Sequence, residues 1–382
     1  NPADRKDDRW RQLIQLIRHD GDKSAEVREA ARRFATHRPD MLRWIDALAN
    51  PRTPRWELRR AKNARKHRAK QATRFAEHRK EFSQKLNEIR RGDFAVLVSP
   101  AQAYLKQFTD IGNDVPPEQR IGQWLGDKLA TVIHDGFEAF LQLDPPEPSA
   151  QHIVEALIQE QCYPAGNIII AAFAERLRKR IGFEDLPGER LIAGLFELFR
   201  SRIDEHAGIV GLREALKGAI RDRGLWEQTI RMYIEPQLAS RCKSVDSLNM
   251  LLGEDANSEL CINLAAEWLE SFPDLPMNAE NALIEILLRA RRFEELRRNA
   301  ASRRGMIDDE HRRNWDAVSL IVDFQTATER LESTQIEPAL LWYIRDLPGV
   351  RFGDDVIVLL NPTLLEWIIR QFRSLWPVVE RP

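Results

Sequence analysis

Apolar residues recur three and four positions apart along nearly the whole chain, the periodicity of helices that bury one face. Trp10, Leu13, Ile14 and Ile17 line the first such face. A second begins after Asp22, runs through Val27, Ala30, Ala31 and Phe34, and stops near Pro39; a third carries Met41, Leu42, Ile45 and Leu48 as far as Asn50-Pro51. Residues 1–51 are therefore predicted to form a short helical bundle.

From Trp56 to Arg91 no Pro or Gly interrupts the pattern, and one long helix is predicted within 52–92, with Gly92 as its left-handed stop. Its apolar line passes through Leu58, Ala61, Ala72, Phe75, Phe82, Leu86 and Ile89 but is broken by Arg65, Arg68 and Arg79. Only the second half can then bury a continuous seam. Ser99-Pro100 predicts the next start, for a helix holding Tyr104, Leu105 and Phe108. One helical stretch follows from Ile121 through Trp124, Leu125, Leu129, Val132 and Ile133 to Phe137, Phe140 and Leu141, which makes 93–144 a helical segment. The run Asp144-Pro145-Pro146-Glu147-Pro148 is the candidate boundary.

Beyond it, helices are predicted near 149–161, 165–182, 187–203, 210–223, 225–241, 244–252, 256–271, 278–290, 292–303, 307–331, 334–346 and 361–376. Short connections between helices of this length give antiparallel neighbours, so 149–382 is expected to be stacked helical hairpins. The fold class that results is all-α: a helical-repeat α-solenoid of degenerate HEAT- or TPR-like hairpins with one long basic helix. No fixed period holds, whether near 34 residues or near 40–47. Val356-Ile357-Val358-Leu359-Leu360 reads as a turn or short strand.

Charge changes this picture in one place. Residues 52–91 hold fifteen Lys or Arg against four Glu, an excess of +11 in a chain whose formal net charge is −1. The remainder is then −12. On the basic helix, Arg59, Arg60, Lys62, Arg65, Lys66, Arg68 and Lys70 are the candidate contacts to nucleic-acid phosphates or to a partner. A solvated helix facing an acidic neighbour is the plainer reading of the same charges.

Composition bounds the rest. A chain of 382 residues exceeds the size at which a single core stops growing, roughly 250–300 residues, so sub-domains or one extended stack are expected. Cys162, Cys242 and Cys261 form no CxxC pair, which fits small buried hydrophobes and a cytoplasmic setting. No long apolar run predicts a membrane span and no apolar stretch near Asn1 predicts a signal peptide. The charged start without Met and the closing Trp376-Pro377-Val378-Val379 suggest a piece of a larger protein.

Chemistry is scarce in the motifs. There is no Gly-Lys dipeptide for a phosphate loop and no Gly-x-Ser-x-Gly turn, and the eight histidines stand singly rather than at i, i+4. Asp308-Asp309 suits a helix start, and Asp7-Asp8 and Asp354-Asp355 are weak metal candidates. No catalytic, cofactor-binding or metal residue is predicted in this segment. Trp124, Trp226, Trp268, Trp315, Trp342 and Trp367 lie on apolar helical faces and are expected to fill grooves between helices.

Four strings carry a family resemblance: Arg38-Pro39-Asp40-Met41-Leu42-Arg43-Trp44-Ile45-Asp46-Ala47-Leu48, the arginine-rich helix after Trp56, Ser99-Pro100-Ala101-Gln102-Ala103-Tyr104-Leu105 with Phe108, and Leu375-Trp376-Pro377-Val378-Val379-Glu380-Arg381-Pro382. In order and spacing they resemble the helical region downstream of the ATPase module in bacterial NACHT-type proteins of the STAND class. The resemblance implies a non-catalytic sensor or scaffold segment, supporting ATP-driven assembly in antiphage defence. It also implies an ATPase module outside this chain, and partners that are proteins or other chains of the same assembly; the lack of a long apolar run adds the expectation of no membrane partner. The alternative expectation is a nucleic-acid-binding module built on the basic helix.

Overall fold

The computed structural model describes residues 23–49, 55–108, 110–111, 114–161, 164–201, 209–245, 258–303, 309–332, 336–347 and 362–376, with the isolated positions 8, 9, 12 and 248. These residues form nineteen helices and, among them, no strand. The chain is all-α. It divides into two compact units, residues 1–77 and 78–382. The first predicted helix, Cys162, most of the predicted 244–252 helix, and Val356–Leu360 lie outside the described residues.

In the first unit, α1 (Lys23–Phe34) packs on α2 (Pro39–Ala49). Ala31, Ala35, Met41 and Ile45 form their shared core, with Leu42 and Trp44 packed against it. Helix α3 (Arg55–Gln84) begins in this unit and ends in the second.

The second unit continues with α4 (Leu86–Arg90), α5 (Phe94–Tyr104), α6 (Pro117–Leu125), α7 (Asp127–Leu141), α8 (Ala150–Ile158) and α9 (Gly166–Arg178). Then come α10 (Gly188–Ser201), α11 (Leu212–Asp222), α12 (Trp226–Ala239) and α13 (Glu259–Ser271). The last six are α14 (Met277–Arg289), α15 (Phe293–Arg303), α16 (Asp309–Val322), α17 (Phe324–Glu332), α18 (Pro338–Asp346) and α19 (Pro362–Leu375).

Packing follows chain order. Helix α7 is held between α4, α6 and α9, α10 packs on α8, α9 and α11, and α8 also meets α12. From α13 onward each helix packs on the next or the next but one: α13 on α14 and α15, α15 on α16, α16 on α17 and α18, α18 on α19. That is the arrangement expected of a helical-repeat fold. Helices α7 and α9, on either side of the proline run 144–148, pack against each other, so that run lies inside one compact unit.

Several boundaries differ from the sequence expectation, each for a local reason. The long basic helix stops at Gln84, and a short α4 follows Lys85 before Gly92 turns the chain at φ 76°. The stretch from Ile121 to Leu141 is two helices broken at Gly126, whose φ of 85° no helix interior accepts. The predicted 307–331 helix is likewise two, broken at Asp323. Pro100 does not start a helix: α5 begins at Phe94, capped by Asp93, whose carboxylate accepts from the Ala95 N–H at 2.9 Å, and it carries Pro100 inside with Val96, Leu97 and Ala101 buried. A cap at one end and a buried face outweigh the hydrogen bond that the proline removes.

Many helix ends share one device. Lys106, Glu160, Arg180, Arg241 and Arg291 all have φ between 52° and 60°. The following amide closes a six-residue turn in each case, as in Ile181 N to Arg176 O at 3.0 Å and Arg292 N to Leu287 O at 2.9 Å.

Of the tryptophans expected in grooves, Trp124, Trp226, Trp268, Trp315 and Trp367 are buried, whereas Trp342 is exposed. Cys261 is buried and Cys242 half-buried, both as free thiols. The α12–α13 joint is tied by polar groups: Arg231 reaches Glu267 with two hydrogen bonds of 2.7 Å, and the Trp268 indole donates to Glu235 at 3.0 Å.

Candidate interaction surface

Between Glu57 and Glu77 the chain carries no acidic residue, and this stretch falls wholly within α3. Helix formation there needs no tertiary partner to explain it locally, since Arg, Lys, Ala and Gln are strong helix formers. Every side chain from Trp56 to Lys70 is exposed.

The seven predicted contacts divide into two groups. Arg59, Lys62, Lys66 and Lys70 follow one another at intervals of three, four and four residues, which puts them on a single face, spread over about 16 Å of axis. Arg60, Arg65 and Arg68 point to the other sides of the helix. None of the seven makes an ion pair with a described residue. Trp56 and Leu58, at 63% and 56% exposure, add two apolar side chains at the start of the same segment.

The end of α3 is different because it has a seam. Phe82 is buried and meets Trp124 edge to face with ring centres 5.5 Å apart, and the Trp124 indole donates to His78 Nδ1 at 2.9 Å. Arg79, which interrupts the apolar line in the sequence, donates from Nε to the Trp124 carbonyl at 3.2 Å. The second half thus carries the burial and the first half carries free positive charge.

Sequence reasoning missed three buried carboxylates; Glu197 bonds Arg200 of its own helix, and the other two bond across helices. Glu280 on α14 is fully buried and accepts from Arg303 Nη1 at 2.6 Å and from the Trp315 indole at 2.8 Å, with Asn314 Nδ2 at 3.4 Å. Burial pushes its pKa up, against the pull of these donors. Arg303 spends its remaining donors on the carbonyls of Leu269, Phe272 and Pro273, and forms the floor of an open groove of about 410 Å³ between α13 and α15.

Glu175 on α9 is the second. It accepts two hydrogen bonds from Arg178, at 2.7 and 2.9 Å, and one from the Tyr104 hydroxyl at 3.3 Å, and lies 3.3 Å from both His134 Nδ1 and Lys179 Nζ. Burial alone would raise its pKa, but the Arg178 hydrogen bonds and the surrounding cations leave it below the usual carboxylate value. For His134 burial outweighs the attraction of Glu175, with Lys179 and Arg178 adding repulsion, and its pKa is lowered. A neutral imidazole with its proton on Nδ1 fits this geometry. Its Nε2 is buried and has no hydrogen-bond partner.

One signal in the sequence could have found both: a Glu standing where the helical period calls for an apolar residue. Glu280 shares a face with Leu283, Ile284 and Leu287, and Glu175 shares one with Ile168, Ala171 and Ala172. Among the described residues no group of three or more His, Cys, Asp or Glu is placed to hold a metal ion. No described helix is long and apolar enough to cross a membrane.

No family model matches this chain, and no curated protein or solved structure is significantly similar to it.

Proposed function

We propose that this chain is a non-catalytic sensor or scaffold segment of a larger NACHT- or STAND-type NTPase, binding a protein partner or other chains of its assembly. What supports the reading is the use made of buried polarity. Four buried charges, Glu175, Arg176, Glu280 and Arg303, tie one helix to another: Glu175 meets Tyr104 and His134, Arg176 meets Glu138, and Arg303 meets Glu280 and the Leu269 carbonyl. Such groups fix a surface in place for recognition. The order of the four family-like strings supports the same assignment. In calorimetry with MgATP the isolated chain should give no saturable heat; stoichiometric nucleotide binding would overturn the reading.

A second reading, a nucleic-acid-binding module, is favoured by one observation: the unpaired basic face Arg59, Lys62, Lys66 and Lys70, in a stretch with no acidic residue between Glu57 and Glu77. Four neutralised phosphates would make the logarithm of the affinity fall with the logarithm of salt at a slope of roughly −3 to −4. Fluorescence anisotropy of a labelled duplex and a labelled single strand measures this. Reversing the four residues to Glu should remove binding, whereas reversing Arg60, Arg65 and Arg68 should cost less. Affinity indifferent to salt or to these changes would reject the reading.

A further inference from the structure

Helix α19 has two unlike sides. Leu364 and Trp367 are buried, and Trp367 meets Phe324 with ring centres 6.4 Å apart. On another side Leu365, Ile369, Phe372 and Trp376 follow at intervals of four, three and four residues, each between 39% and 53% exposed. The spacing aligns them in one stripe, the a/d pattern that a second helix fills knob into hole. Trp342 of α18, 44% exposed, extends the patch, its ring 6.1 Å from that of Trp376.

We infer that α19 is a homodimer contact, pairing antiparallel with α19 of a second copy of this chain. Three observations choose that occupant. First, the stripe is self-complementary: about a twofold axis between Ile369 and Phe372, each of these residues faces the other across the pair, and Leu365 faces Trp376. Second, charge fixes the direction. Glu366 and Arg373 flank the stripe on the same side, both are exposed and neither is ion-paired to a described residue. The antiparallel register sets Glu366 of one copy beside Arg373 of the other, twice by symmetry. A parallel pairing would set them against Ile368 and Leu375 instead. Third, the exposed parts of five large side chains come to on the order of 1,000 Å² over two copies, the lower end of specific interfaces. A reversible dimer of micromolar affinity follows. The inference is independent of α3 and of the nucleotide test above.

Sedimentation velocity of the whole chain, from about 1 to 200 μM, spans the range expected of so small an interface. The mass should rise from 44.3 kDa toward twice that value. Ile369→Glu, at an exposed position, should weaken the dimer roughly tenfold or more while leaving the thermal midpoint of the monomer unchanged. Glu366→Arg should weaken it roughly three- to tenfold, as should Arg373→Glu, and the double exchange should restore it. A chain that stays monomeric throughout, or a dimer indifferent to Ile369→Glu, overturns the contact. A dimer lost with Ile369→Glu but not rescued by the double exchange overturns the antiparallel register.

Discussion

Arg303 and Glu280 form an ion pair of 2.6 Å between α15 and α14, with 2% and 0% of their side chains exposed. Both charges are almost wholly shielded from water. Glu280→Ala should therefore cost about 3–5 kcal/mol, most of it from stranding the guanidinium, as read from the urea midpoint of the second unit. Replacing both partners with apolar residues, Glu280→Leu with Arg303→Met, should recover much of the loss. A double variant no better than the single one would show that the four carbonyl and carboxylate bonds of Arg303 matter more than its charge balance.

Acid should weaken the α5–α7–α9 region before the rest. His134 and Glu175 both have folded-state pKa values below their ordinary ones, so the unfolded chain takes up protons first and stability falls with falling pH. For His134 the loss begins as the pH drops below about 6.5, and for Glu175 below about 4.5. Equilibrium unfolding at pH 7 and pH 5 should show the decline, and His134→Gln should flatten it. An unchanged slope in that variant would assign the decline to other groups.

Gly136 lies where α4 crosses α7. A Cβ there would stand 2.4 Å from the Ile89 carbonyl oxygen, which is backbone and cannot step aside alone. Gly136→Ala should destabilise by about 1–3 kcal/mol through the shift it forces on α4. Gly122→Ala, where the nearest atom is the Asp127 carboxylate, a side chain free to turn, should cost less. Thermal melts of the two variants would test the ranking.

The left-handed helix ends at Arg180 and Arg291 predict a gain. A residue with a Cβ pays for that conformation and glycine does not, so Arg180→Gly and Arg291→Gly should each stabilise by up to about 1 kcal/mol. The gain is offset in part by the lost attraction of a cation for the helix carboxyl end. A loss of stability in both would mean that the cation is the larger effect.

These ends also explain what the sequence could and could not tell. Helix identity was legible from apolar spacing almost throughout, because each helix buries a face, as with Leu283, Ile284 and Leu287 on α14. Helix ends were less so. Gly and Pro served as the stop signals, but α9 ends at Arg178 and its turn is made by Arg180, residues that look like helix interior in a sequence. Gly126 and Asp323 were passed over for the opposite reason, since an apolar period can continue in register across a one-residue break. Of the candidate surface, the basic segment was plain from charge alone. Its division into a face with Arg59, Lys62, Lys66 and Lys70 and a remainder required the helix to be drawn. The pairs Glu175–His134 and Glu280–Arg303 join residues 41 and 23 positions apart, and the period of one helix does not tell which residue of its neighbour a buried carboxylate will meet.

Because, among the described residues, every helix beyond α13 packs chiefly on those one or two places along, cohesion there is a series of links rather than one shared interior. Opening one link should leave distant links closed, so a substitution that weakens the α14–α15 junction should speed amide exchange in those two helices while α18 and α19 keep their protection. Disturbing one junction would be felt by its neighbours and hardly at all further along.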